Sequence, residues 1–143
     1  MNDTSIIKLE NIAQLRELVT VFSLAFKSAY DTTDAYLSAM LENTSCIILG
    51  ALVEDRIVGG LVAFEMIPIH GTKELYIYDI AVHPEFQKQG VGAQLMKALK
   101  QEARTRGVGT VFVDAESEDE EAVAFYRAIG GEEVAVNHFN FKL

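Results

Sequence analysis

The chain has 143 residues, half of them hydrophobic and 23% charged. That fits one compact domain over residues 1–143 and excludes an intrinsically disordered chain. Twelve Lys and Arg against 21 Asp and Glu leave a net charge of −9, which argues against gripping nucleic-acid phosphates and suits a cationic substrate instead.

The opening Met1-Asn2-Asp3-Thr4 lacks a basic region followed by an apolar stretch. No apolar run approaches the ~20 residues of a membrane span, so the expectation is a soluble cytoplasmic protein without a signal peptide. Ser5 to Leu9 reads as a short strand. Ile12, Leu15, Leu18, Val19, Phe22 and Phe26 recur at helical spacing and predict an amphipathic helix from Asn11 to about Ala29. Thr32-Thr33-Asp34 resembles a cap for a second helix through Glu42. Cys46 to Val53 and Ile57 to Met66 read as the two strands of a hairpin turning at Glu54-Asp55-Arg56. The lone Cys46 excludes an internal disulfide and, in an apolar run, reads as a buried structural thiol.

After a longer turn over Pro68 to Thr72, Glu74 to Val82 is a strand rich in β-branched and aromatic residues. Gly90 to Arg106 reads as a helix ended by Gly107, with Val91, Leu95, Ala98, Leu99 and Ala103 on one face. Thr110 to Ala115 is expected to be a strand buried on both sides, Asp119 to Ile129 a helix, and Val134 to Phe141 a final strand. The order β-α-α-β-β-β-α-β-α-β implies an α/β layout, one mixed sheet with helices on both faces.

The stretch Ala81 to Gly92 joins a strand to a helix start through Gln87-Lys88-Gln89-Gly90-Val91-Gly92. Glycines there let the backbone approach a ligand, and the free amides and dipole of a helix start favour an anion such as pyrophosphate. The loop lacks the Gly-Lys-Ser/Thr ending of a Walker loop and the Gly-x-Gly-x-x-Gly spacing of a dinucleotide turn.

Gln87, Gly90 and Gly92 match the loop Gln/Arg-x-x-Gly-x-Gly/Ala of the Gcn5-related N-acetyltransferase (GNAT) superfamily, which this chain resembles. The flanking Ile80-Ala81-Val82-x-Pro84-Glu85 and the later run Ala122 to Gly131 around Phe125-Tyr126 resemble the family as well. The resemblance implies a GNAT fold with a V-shaped split between the fourth and fifth strands, where acetyl-CoA enters. Ile80, Ala81 and Val82 would line the pantetheine arm. Gln87, Lys88, Gln89, Gly90, Val91, Gly92 and Ala93 would hold the pyrophosphate, and Tyr126 would lie near the CoA sulfur. The substrate amine would attack the thioester directly.

Asp79 lies within an otherwise apolar strand, where a carboxylate needs a partner or a solvent-filled cleft. It could position a cationic amine or accept its proton. Asp114, Glu116, Glu118, Asp119, Glu120 and Glu121 crowd the end of one strand and the start of the next helix. Capping and the dipole explain some of them; a polycationic substrate would explain Glu116, Asp119 and Glu120.

The runs Glu74 to Val82, Val113 to Tyr126 and Glu132 to Phe139 resemble the aminoglycoside 3-N-acetyltransferases of the gentamicin-resistance type I group. That resemblance implies acetylation of a 3-amino group, catalysis by Asp79 and Tyr126, and drug contacts from Tyr78, Asp79, Glu116, Asp119 and Glu120. It also implies a cleft wall from the segment Lys27 to Asp34, and a homodimer. Acetyl transfer to a polyamine or a protein amine, and a CoA-binding module without turnover, are the competing readings. Glu65 could line the cleft, His138 could approach the site, and His83 is expected at the surface. No His/Cys/Asp cluster has metal-ligand spacing, so no metal is expected.

Overall fold

A computed structural model describes residues 3–143; Met1 and Asn2, where the reading of no signal peptide begins, lie outside the described residues. The elements in chain order are β1 (Thr4–Lys8), α1 (Ile12–Phe26), α2 (Asp34–Glu42), β2 (Cys46–Val53), β3 (Arg56–Met66) and β4 (Glu74–Val82). A 3₁₀ turn over Pro84–Phe86 leads to α3 (Val91–Thr105), β5 (Thr110–Val113) and α4 (Glu120–Ala128). The strands form one sheet in the order β1-β2-β3-β4-β5. Its first four strands pair antiparallel, and β5 joins β4 in parallel.

Alternation along the strands sends side chains to both faces, and each face has its own helices. Leu15, Leu18, Phe22 and Leu37 of α1 and α2 pack with Ile48, Val62 and Ala81 on one side. Val91, Leu95 and Leu99 of α3 pack with Leu49, Leu61 and Ile77 on the other, where Phe125 and Ile129 from the α4 region also settle. This is the mixed α/β arrangement with helices on both faces that the element order implied.

Local chemistry explains most boundaries. Asn11 and Thr33 accept from the amides of Gln14 and Tyr36 and cap α1 and α2. The β2–β3 hairpin turns through Glu54 and Asp55, both left-handed at φ 50° and 62°, the primed geometry that matches strand twist. Helix α1 stops at Phe26 rather than near Ala29. Lys27 goes left-handed at φ 53° and the Ser28 amide donates to Ser23 O, closing the last turn early.

Two expectations fail at the C-terminal end. Strand β5 is shorter than Thr110 to Ala115, and it is half-buried rather than enclosed, because only β4 flanks it. The stretch Val134 to Phe141 is no strand: it carries no ladder, and every residue from Gly130 on is exposed. Its alternation is that of a strand, but among the described residues no strand lies beside it to supply ladder hydrogen bonds.

Close helix packing depends on a glycine in β3. A Cβ on Gly60 would collide with Leu18 Cδ1 and lie 2.8 Å from the Leu49 carbonyl oxygen. Gly60→Ala is expected to destabilise the protein by about 1–3 kcal/mol, measured as a fall in the urea midpoint without a change in slope.

Candidate active site

The site begins where two strands part. Pairing of β4 with β5 ends at Ile77↔Val113, while β4 runs on to Val82. On its other side β4 stays with β3, but Ile77 faces Ala63 and Asp79 faces Val62, so Tyr78 is an extra residue in a β-bulge. The His83 amide donates to Val58 O at 2.7 Å, on the β3 side. Backbone groups alternate along a strand, so Ile80 and Val82 direct theirs into the split. Gln87 Nε2 donates to Val82 O at 2.9 Å and ties the following loop to the strand end.

That loop is held by its own side chains. His83 Nδ1 accepts from the Glu85 amide at 3.1 Å, and Gln89 Nε2 donates to Glu85 O at 3.2 Å. His83 is therefore a turn cap and edge-packs on Phe86. Lys88 at φ 60° and Gly90 at φ 85° bend the chain into α3. The first intrahelical bond runs from the Gln94 amide to Gly90 O, and no side chain caps the helix. The amides of Val91, Gly92 and Ala93 thus project from the positive end of a 15-residue helix.

The two glycines do different jobs. Gly90 needs its left-handed φ and has open space around it. A Cβ on Gly92 would sit 3.1 Å from the Phe125 ring, so Gly92 lets α4 lie against the first turn of α3. Close packing against Phe125 is thus one reason that position 92 is a glycine.

Next to the split lies a carboxylate among phenols. Asp79 is half-buried, and that burial pushes its pKa above the ordinary carboxylate value. Burial, with smaller contributions from the charges of Asp119 and Asp79, pushes Tyr126 up to about 12. Tyr30 is raised by burial and then by Asp79. Tyr76 is raised by burial and by Asp114, to whose Oδ2 it donates at 3.2 Å. Phe64 and Tyr76 each meet Tyr78 edge-on, with centroids 6.2 and 6.0 Å away.

Among the predicted acids, Asp119 is the N-cap of α4, accepting from the Ala122 amide at 3.1 Å, and it also acts on Tyr126. Glu116 and Glu120 are exposed beside it. Glu65 does not line the split: it lies 3.7 Å from Lys73 Nζ and 3.9 Å from Arg106 at the opposite end of the sheet. His138 sits in the exposed tail, its ring against Asn140. Cys46 is half-buried and its thiol is pushed up by burial, as a structural thiol would be. No group of three or more His, Cys, Asp or Glu among the described residues could hold a metal ion, and no helix there is long and apolar enough to cross a membrane.

Sequence reading did not single out Tyr30, Tyr76 or the Tyr76–Asp114 bond. Tyr76 shares a face with Tyr78 by simple alternation up to the bulge and was findable. Tyr30 falls in the Lys27 to Asp34 segment expected to wall the cleft, but its approach to Asp79 is a tertiary fact.

A strand that splits from its parallel neighbour, followed by an uncapped helix start, defines an acetyltransferase architecture. The chain belongs to the acetyltransferase (GNAT) family, whose pattern matches residues 12–130. The [ribosomal protein bS18]-alanine N-acetyltransferase of Salmonella typhimurium is 35% identical over 63 residues, 44% of this chain and 43% of that protein. The match thus spans less than half of that relative. An aminoglycoside acetyltransferase from an uncultured soil metagenomic sample, solved in complex with sisomicin, is 29% identical with a TM-score of 0.93, covering 98% of this chain and 96% of its own. A second, also from an uncultured soil metagenomic sample, is 33% identical with a TM-score of 0.89 and covers 99% of each chain.

Burial of Asp79 has a stability consequence. Its folded pKa exceeds the unfolded value, so the native state carries a penalty above the folded pKa that vanishes once both states are protonated. Asp79→Asn should therefore unfold at higher urea than the parent near neutral pH. The advantage should disappear as pH falls through the carboxylate range, near 4. An equal urea midpoint at every pH would show that Asp79 is not desolvated.

Proposed function

We propose that the protein transfers the acetyl group of acetyl-CoA to an aminoglycoside, with the 3-amino group of a gentamicin-type drug as acceptor. One observation carries the reading: Asp79, desolvated and influencing both Tyr30 and Tyr126, sits on the same strand that leads into the free helix start. The likeness to the aminoglycoside acetyltransferases and the run of acids from Asp114 to Glu121 support it.

In this reading the pantetheine arm lies along β4 and bonds the backbone of Ile80 and Val82 as an added strand would, passing Ala81. The loop Gln87 to Gly90 and the amides of Val91, Gly92 and Ala93 take the pyrophosphate, with Lys88 near its charge. The drug enters from the side of Tyr78, Glu116, Asp119 and Glu120, whose acids attract its ammonium groups. Asp79 orients the acceptor amine and takes its proton, directly or through a water; the raised pKa makes it a better base than an exposed carboxylate. The nitrogen lone pair forms the C–N bond as the C–S bond breaks, and the electron pair leaves on sulfur.

Tyr126 acts on the leaving sulfur by donating a hydrogen bond. At a pKa of about 12 it stays protonated, but full transfer to a thiolate, whose conjugate thiol has a pKa of about 8.5, runs uphill. The proton that finally reaches sulfur comes from the amine's own, through Asp79 or solvent.

Free thiol should appear when the protein is mixed with acetyl-CoA and gentamicin or sisomicin, and NMR of the product should place the acetyl on the 3-amino nitrogen. Acetylation elsewhere on the drug, the 6'-amino group included, would overturn the positional part. Preference for spermidine or a protein N-terminus would overturn the substrate class. Tight acetyl-CoA binding with no acceptor would indicate a binding module. Asp79→Asn should cut kcat about 10²–10⁴-fold and abolish the acid-side limb that the parent shows with the same drug. Tyr126→Phe should lower kcat by a smaller factor and leave that limb in place.

A further inference from the structure

Aromatic rings line up across three strands beside the split. Phe64 of β3 lies opposite Tyr76 of β4, and Tyr76 lies opposite Phe112 of β5, so the three share one face of the sheet. Tyr78, the bulge residue, joins them. It stands perpendicular to Phe64 and to Tyr76, at 88° and 90°, while Tyr76 meets Phe112 with centroids 5.0 Å apart. Phe64 packs against the α1–α2 core, but Tyr76, Tyr78 and Phe112 join neither core. Tyr78 leaves 65% of its surface to solvent. A lone exposed aromatic is ordinary; a connected set beside a reaction site calls for an occupant.

Carboxylates decide what that occupant is. Tyr76 donates to Asp114 Oδ2 at 3.2 Å, which fixes its ring, and Asp79 follows Tyr78 in the chain. Burial raises the pKa of Tyr76 first; Asp114, Tyr78 and Asp79 add to it, so all three act on the same spot. A neutral apolar ligand would strip water from Asp114 and give nothing back. An anion would meet like charge. A cation gains twice, because ring faces attract it and the carboxylates balance it. None of the chain's own cations takes this place: the cation–ring contact among the described residues, Arg56 over Phe86, lies beyond Val82.

We propose that Tyr78 and Tyr76 form an aromatic corner that holds a second ammonium group of the acceptor, with Asp114 as its negative wall. The proposal rests on the acetyl-transfer reading above and extends it. Asp79 handles the amine that reacts, and the corner selects acceptors that carry another amine beside it. Tyr78 is then a specificity residue that acts on the drug through its ring.

Kinetics with gentamicin and calorimetric titration of gentamicin into the protein in excess CoA test the corner. Tyr78→Leu should raise both KM and Kd about 3–30-fold while kcat moves much less. Tyr78→Phe and its 4-fluoro and 3,4,5-trifluoro analogues should weaken binding in that order, because fluorine drains the negative ring face and hardly alters its size. Asp114→Asn should also raise Kd. A flat fluorine series would show that the ring acts by shape alone and would overturn the corner, as would an unchanged Kd in Asp114→Asn. The titration needs no turnover, so the two readings separate. If Kd follows the fluorine order but no acetylated drug forms, the corner stands and the acceptor assignment falls. If drug is acetylated and Tyr78→Leu changes neither KM nor Kd, the corner falls and acetyl transfer stands. A parent protein that does not bind gentamicin at all would overturn both.

Discussion

The extra residue at Tyr78 is the constraint from which the site follows. Before it, Leu75 and Ile77 enter the core beneath α3; after it, Ile80 and Val82 do so, while Ala81 joins the core beneath α1. A regular strand would have kept odd-numbered residues on the α3 side throughout. The bulge reverses the alternation, sends Asp79 toward the face that carries Tyr30, and adds local twist just where pairing with β5 ends. One inserted residue thereby opens the split, exposes the backbone of Ile80 and Val82 to it, and places a carboxylate at its inner end.

Asp79 is tolerable there because its neighbours are amphipathic. Tyr30, Tyr76 and Tyr126 lie close enough to feel its charge and bring phenol groups, rather than cations, into the same region. Each is raised in pKa chiefly by its own burial, and a neutral phenol near a carboxylate is a donor rather than a rival charge. The carboxylate, being desolvated, strengthens every nearby polar contact and is itself made more basic. These are the conditions under which a carboxylate can act as a base near neutral pH, and they are imposed by packing rather than by a charged partner.

Much of this architecture is legible in the amino-acid order because its signals are local. Strand β4 is bounded at Glu74 and Val82 by composition, the hairpin by Glu54-Asp55, and the start of α3 by Gly90. Asp79 stands out because a charge in an apolar strand violates the pattern around it. What could not be read depends on relations between distant segments. The bulge is a mismatch between β3 and β4, visible in neither strand alone. Lys27 ends α1 in a conformation that glycine would have announced and lysine does not. The approach of Tyr30 to Asp79 spans most of the first half of the chain. The tail reads as a strand from its alternation, yet a strand exists only beside another, and among the described residues none pairs with it.

The direction of β4 also orders the charges. Asp79 and Val82 are three residues apart, about 10 Å along a strand, and the α3 start follows after the loop from His83 to Gly90. At one end is a helix terminus with free amides and a positive dipole end; at the other are the half-buried Asp79 carboxylate, the Asp119 cap and the exposed Glu116 and Glu120. A molecule that is anionic at one end and meets a cation at the other would fit this gradient in only one orientation. In the proposed arrangement the net charge of −9 would oppose the cofactor's phosphates, and the amides of Val91 to Ala93 together with Lys88 would offset it locally. That same charge would draw a polycationic acceptor toward the other end. Placement of two oppositely charged substrates then needs no large cationic pocket, because the backbone amides of the helix start supply much of the positive end.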